Sequence, residues 1–113
     1  MHWQRLAQLE ESAARGKDEK GGRERAALAL AKAIDLEPLM GLYDIQLCRI
    51  AGAQAAAKEM APGEAMAKCD RALLKEPSNP YFHTAAVNAA VLAGDLRRAR
   101  ELAERGLRMY PDL

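Results

Sequence analysis

The feature of this chain that most constrains its fold is a short pattern that occurs three times. Each occurrence has a small residue, a middle residue four positions later, a second small residue three positions further on, and then a proline. The three stretches are AALALAKAIDLEP, AMAKCDRALLKEP and ARELAERGLRMYP, ending at Pro38, Pro77 and Pro111. Residues spaced four and three apart lie on one helix face, and proline ends a helix. The pattern predicts three helices, each closely packed against a neighbour.

A partner helix is predicted before each of these stretches. The three partners are HWQRLAQLEESAAR near the start of the chain, about residues 40–58, and about residues 80–92. Asn79 and Asp95 precede helical stretches and are expected to act as N-caps. The middle partner is apolar on more than one face, which predicts a central position. The segment GKDEKGG, residues 16–22, predicts a charged and mobile connection.

The composition favours a single all-α domain. The chain has 113 residues, which is the size of one domain, and half of them are hydrophobic. Alanine is the commonest of these, and it is the strongest helix former because it loses no side-chain entropy on folding. A helical hairpin built this way cannot cover its own apolar face, so neighbouring hairpins are expected to stack.

The pattern resembles the tetratricopeptide repeat family, whose unit reads W-x₂-L-G-x₂-Y, then A-x₃-F, then P. Trp3, Leu6 and Ala7 reproduce the first element, and Pro77 and Pro111 are 34 residues apart by subtraction, which is the family period. The resemblance implies three helix-turn-helix repeats stacked as a right-handed superhelical solenoid of six helices, in one domain of residues 1–113. The repeats would cover about residues 2–38, 39–77 and 78–111.

No motif in the sequence indicates catalysis. Phosphate-loop, dinucleotide-fold and nucleophile-elbow patterns are missing, so we expect neither an enzyme nor a cofactor. His2 and His83 are the only histidines, and His83 is interpreted as a packing residue. Cys48 and Cys69 have no metal-ligand spacing, so no metal site is expected. They are interpreted as small, buried, reduced neighbours, which predicts a cytoplasmic protein.

The charge and hydropathy of the chain exclude two further classes of partner. A net charge of +1 offers no basic surface for nucleic acid. The longest nearly apolar run, AAVNAAVLAG, is too short to span a membrane, so no membrane insertion is expected. A protein partner is the remaining expectation.

The resemblance implies a protein-interaction module, such as an adaptor or a chaperone. The first helices of the family line a concave groove that holds a segment of a partner protein. The residues expected in that groove are Leu42, Ile45, Arg49, Tyr81, Thr84, Asn88 and Val91. For Leu42 and Ile45, ordinary core packing is the alternative interpretation.

A structural role is the second hypothesis for this chain. The outer face of the last helix has no following helix to cover it, although repeat arrays usually need a polar cap to stay soluble. Leu102, Met109 and Leu113 are expected on or near that face. They predict contact with a second copy of the chain in a homodimer, or with a continuation of a larger array that positions another domain.

Overall fold

A computed structural model of the chain describes residues 19–111, and this part of the chain contains helices and no strands. The all-α prediction is confirmed for this range. Five helices follow one another in it: α1 (Glu19–Leu36), α2 (Gly41–Ala56), α3 (Pro62–Lys75), α4 (Pro80–Ala93) and α5 (Leu96–Met109). The predicted first helix, at residues 2–15, lies outside the described residues, so five of the six expected helices are described.

The helix ends follow the local signals in the sequence. Helices α1, α3 and α5 each end two residues before one of the three prolines. The side-chain oxygen of Asn79 accepts hydrogen bonds from the backbone N–H groups of Tyr81 and Phe82, at 2.9 and 3.4 Å. The carboxylate of Asp95 accepts from the backbone N–H of Arg98 at 3.1 Å. Both predicted N-caps are confirmed.

The expectation of a mobile connection at residues 16–22 is wrong for its described part. Residues 19–22 form the first turn of α1. Glu19 places a carboxylate at the helix N-terminus, where the helix dipole favours negative charge. Arg23 then pairs with Glu19 at 3.8 Å and with Glu59, which lies in the connection between α2 and α3. A long-range ion pair therefore anchors a segment whose composition resembles a loop.

Helix α2 is the centre of the described fold. It packs against α1, α3 and α4, and α4 packs in turn against α3 and α5. The predicted central position of this helix is confirmed. One apolar cluster joins α2, α3, α4 and α5, and a second cluster joins α1 to α2. The helices thus form two successive hairpins, α2–α3 and α4–α5, with α1 packed against α2.

Close approach between α2 and α4 depends on Gly52. A Cβ atom at this position would lie 2.9 Å from the Cα of Ala89 and 2.9 Å from its Cβ. The two backbones therefore meet with only hydrogen and a methyl group between them. Most of the other buried residues at this contact are alanines, which keeps the helices close along their length.

Cys48 and Cys69 form a disulfide that joins α2 to α3, with their Cα atoms 4.6 Å apart. Both residues are fully buried, so the expected proximity is confirmed and the expected reduced state is wrong. They face each other across the hairpin because each lies on the face that contacts the partner helix. Disulfides persist mainly in oxidising compartments, so the two cysteines no longer support a cytoplasmic location. Among the helices of residues 19–111, none has the length and apolar character of a membrane span.

Substitution of Gly52 by alanine tests the close contact. We expect Gly52→Ala to lower the free energy of unfolding by about 1–3 kcal/mol, because the added methyl group must displace the Ala89 backbone. Urea denaturation followed by circular dichroism measures this change. Gly63→Ala is the matched control, since a Cβ there meets nothing within 4 Å. Equal effects of the two substitutions would contradict the proposed packing constraint.

Removal of the disulfide should weaken the fold without changing it. The double variant Cys48→Ala/Cys69→Ala should lose about 2–4 kcal/mol of unfolding free energy and keep its helical circular dichroism. A reductant should lower the stability of the natural chain to that of the variant and leave the variant unchanged. Alkylation of both thiols in the unfolded, unreduced natural chain would show that the bond is absent.

Candidate protein-interaction surface

One face of α4 presents four of the residues expected in the groove. Tyr81, Thr84, Asn88 and Val91 are spaced three, four and three apart, which places them on one helix face. All four are exposed, with Tyr81 at 82% and Val91 at 53% of their full accessible surface. The Thr84 hydroxyl donates to the backbone carbonyl of Pro80 at 3.1 Å, so it faces its own helix. The face is therefore mainly apolar, with the Asn88 amide as its polar group.

Helix α2 contributes less to this surface than the sequence predicts. Arg49 is exposed, and Leu42 is partly buried against the core. Ile45 is only 6% exposed and belongs to the core cluster, so it is not an accessible floor for a ligand. The core interpretation is right for Ile45 because α4 packs over that side of α2. We use the name groove surface for the exposed set: Arg49, Tyr81, Thr84, Asn88 and Val91.

A concave region, which we name the end cleft, lies between α4 and α5 and has a volume of about 320 Å³. Thr84 and Asn88 form its border with the groove surface. Its apolar lining comes from both helices. The residues that line it are Pro80, His83, Thr84, Val87, Asn88, Leu102, Ala103, Gly106, Leu107 and Tyr110.

The predicted self-association face needs a correction at Leu102. This side chain is fully buried, because it lies on the same helix face as Ala99 and Gly106 and packs into the core with α4. Leu107 is exposed in its place, at 56% of its full surface. Met109 is exposed, at 39%, and Leu113 lies outside the described residues. The large apolar side chains that α5 exposes in the described structure are therefore Leu96, Leu107 and Met109.

His83 is a packing residue, as predicted. It is nearly fully buried, and its Nε2–H donates to the backbone carbonyl of Pro77 at 2.8 Å. This hydrogen bond places the proton on Nε2 and leaves Nδ1 as an acceptor without a hydrogen-bond partner in the described structure. The imidazole thus joins the start of α4 to the loop before it.

Two ion pairs that join helices were not predicted from the sequence. The Lys75 ammonium donates to the buried Asp44 carboxylate at 2.5 Å and joins α2 to α3. The Arg98 guanidinium donates to Asp70 at 2.5 Å and joins α3 to α5. The hydrogen bond to Asp70 raises the pKa of Arg98 further above its usual range, so the cation persists. The partners are far apart in sequence, and no local pattern indicates such pairs.

A further ion pair anchors α1. Arg23 donates through two nitrogens to the Glu59 carboxylate, and these hydrogen bonds lower the pKa of Glu59 below its usual value. Within residues 19–111 no group of three or more His, Cys, Asp or Glu side chains is arranged to hold a metal ion.

No protein-family model matches the chain, and no curated protein is significantly similar to it. The function of the chain is therefore inferred from the groove surface and the end cleft.

Substitutions of two adjacent residues of α4 test which side of the helix is available for binding. Tyr81→Ala should change the free energy of unfolding by less than about 0.5 kcal/mol, because Tyr81 is a surface residue. Phe82→Ala should lower it by about 3–5 kcal/mol, because Phe82 is buried in the core and lies beside Gly41. Thermal and urea unfolding measure both values. A large loss with Tyr81→Ala would show that this ring is part of the core.

Proposed function

We propose that this chain is a tetratricopeptide-type interaction module that binds a segment of a partner protein along the groove surface. The packing of α2 against both α3 and α4 supports this proposal. Stacked hairpins require that the first helix of one unit contact its own second helix and the first helix of the next unit. In a right-handed superhelix of such units, the first helices would line the concave side.

The observation that carries the proposal is the exposed face of α4. This helix contains no Asp, Glu, Lys or Arg, although one side of it is exposed to solvent. A surface helix normally has charged or polar residues on its outer side. An exposed apolar face of this kind is typical of a surface that binds another protein.

The chemistry of the groove surface suits a peptide segment with apolar side chains. Tyr81 offers a large contact area at a small cost in side-chain entropy, as aromatic residues do at interfaces. The Arg49 guanidinium can donate several hydrogen bonds to a carboxylate or to backbone carbonyls. The Asn88 amide can donate to and accept from the backbone of an extended peptide. These groups recognise a peptide backbone more than a particular sequence.

The proposal also includes the cellular compartment in which the partner binds. A cytoplasmic location was expected from unbonded cysteines, and the Cys48–Cys69 disulfide removes that support. We therefore place the binding reaction in an oxidising compartment, where such a bond persists. Binding experiments belong under non-reducing conditions.

Substitutions on the groove surface test the proposal. Peptide ligands selected from a display library against the oxidised chain serve as probes. Arg49→Glu and Tyr81→Ala should each weaken binding by roughly 10-fold to 100-fold, because a few anchor residues supply most of the affinity of such interfaces. Fluorescence anisotropy measures the dissociation constants.

Matched controls for these variants are available on α3. Arg71→Glu repeats the charge reversal on an exposed arginine, and Leu74→Ala removes an apolar side chain that is 81% exposed, almost as much as Tyr81. Both controls should bind like the natural chain. If they lose as much affinity as the groove variants, the ligand occupies the opposite side of the hairpins and the groove assignment is wrong.

A further inference from the structure

One side of α5 carries a stripe of residues with the spacing of a helix-packing surface. Leu96, Arg100, Ala103 and Leu107 follow one another at intervals of four, three and four residues, as in the seam between two packed helices. Leu96 is 68% exposed and Leu107 is 56% exposed. Arg100 is exposed as well, and Ala103 is partly buried. We name these four residues the α5 stripe.

The α5 stripe lies on the side of the helix that is turned away from α3. Arg98 donates to Asp70 of α3. It lies two residues before Arg100, and two residues are a little more than half a turn of an α-helix, so the two arginines leave α5 on opposite sides. Ala103 and Leu107 also line the end cleft. The stripe and the cleft are therefore parts of one surface, formed by α4 and α5 alone within residues 19–111.

The same pattern on α3 is buried in the core. Helices α3 and α5 begin 34 residues apart, by subtraction. With this offset the counterparts of Arg100, Ala103 and Leu107 are Met66, Cys69 and Leu73. These three residues are at most 5% exposed and belong to the core cluster that joins four helices. The pattern thus serves helix packing on α3, and its copy on α5 differs mainly in carrying an arginine.

The charges on this surface are one cation and one anion that lie close together. Arg100 belongs to the α5 stripe, and Glu104 lies beside it, one helical turn later. Both are exposed, and neither has an ion-pair partner within residues 19–111. Helix α4, the other wall of the end cleft, contains no Asp, Glu, Lys or Arg. A helix that covers the stripe must therefore bring an anion to Arg100 and a cation to Glu104.

A second copy of α5 supplies both charges when the two helices run antiparallel. A two-fold axis near the middle of the stripe then places Arg100 of each copy opposite Glu104 of the other. It also places Leu96 of each copy beside Leu107 of the other, at the end cleft. Ala103 lies near the axis, where its small side chain allows the helices to approach closely. A parallel pair would instead bring like charges together, which is unfavourable.

We propose that two copies of this chain form a symmetric dimer through the α5 stripe, with Leu96 of each copy in the end cleft of the other. The same patch contacts itself across the two-fold axis, so the assembly closes at two copies. Met109, which was expected from the sequence to take part in self-association, lies outside this interface. The dimer uses neither Arg49 nor Tyr81 and does not rest on peptide binding at the groove surface.

Charge reversal with complementation tests this arrangement. Sedimentation equilibrium of the oxidised natural chain should show monomers and dimers and no larger species. Arg100→Glu and Glu104→Arg, each alone, should raise the dissociation constant of the dimer by about tenfold or more, because like charges then face each other at two places. An equimolar mixture of the two variants should form a heterodimer, since every opposed pair then has opposite charges. The double variant should recover the homodimer for the same reason.

Matched controls lie on the other sides of α5. Leu107→Asp should remove the dimer, whereas Met109→Asp and Arg105→Glu change exposed residues outside the α5 stripe and should leave it intact. Helical circular dichroism of each variant keeps loss of the dimer separate from unfolding. A natural chain that stays monomeric at every concentration overturns the proposal. So does a dimer that the control variants weaken as much as Leu107→Asp, or one that neither the mixture nor the double variant recovers.

Discussion

The structure depends on the close approach of α2 and α4 at Gly52 and Ala89. A Cβ atom at Gly52 would not fit there, so the two helices can approach closely only because this residue has no side chain. Alanine then provides most of the buried residues along this contact. Such an interior excludes water over a long, narrow seam, but each residue buries little apolar area. The stability of the fold therefore needs contributions besides apolar burial.

Several cross-links between helices supply those contributions. The Cys48–Cys69 disulfide lies inside the α2–α3 hairpin, where it limits the entropy of the unfolded chain. The Asp44–Lys75 pair joins the same two helices, and the Asp70–Arg98 pair joins one hairpin to the next. Each link restrains how two helices lie relative to each other. The narrow alanine seam and these cross-links together stabilise the arrangement.

This way of building a core also explains why apolar residues remain on the surface. The interior between close helices has room for few large side chains, so residues such as Tyr81, Val91 and Leu107 lie outside it. Tyr81 and Val91 belong to the groove surface, and Leu107 lines the end cleft. A single way of packing the helices thus generates both surfaces.

The sequence by itself determined the features that act over a few residues. Three prolines ended three helices, and Asn79 and Asp95 capped the starts of α4 and α5, because these effects need only neighbouring backbone groups. The tertiary structure alone decided that the cysteines are bonded and that Leu102 is buried while Leu107 is exposed. It also brought Arg23 to Glu59, although the glycines before Arg23 indicated a loop. The physical reason is that burial and long-range pairing depend on which helix faces meet, and residues far apart in sequence decide this together.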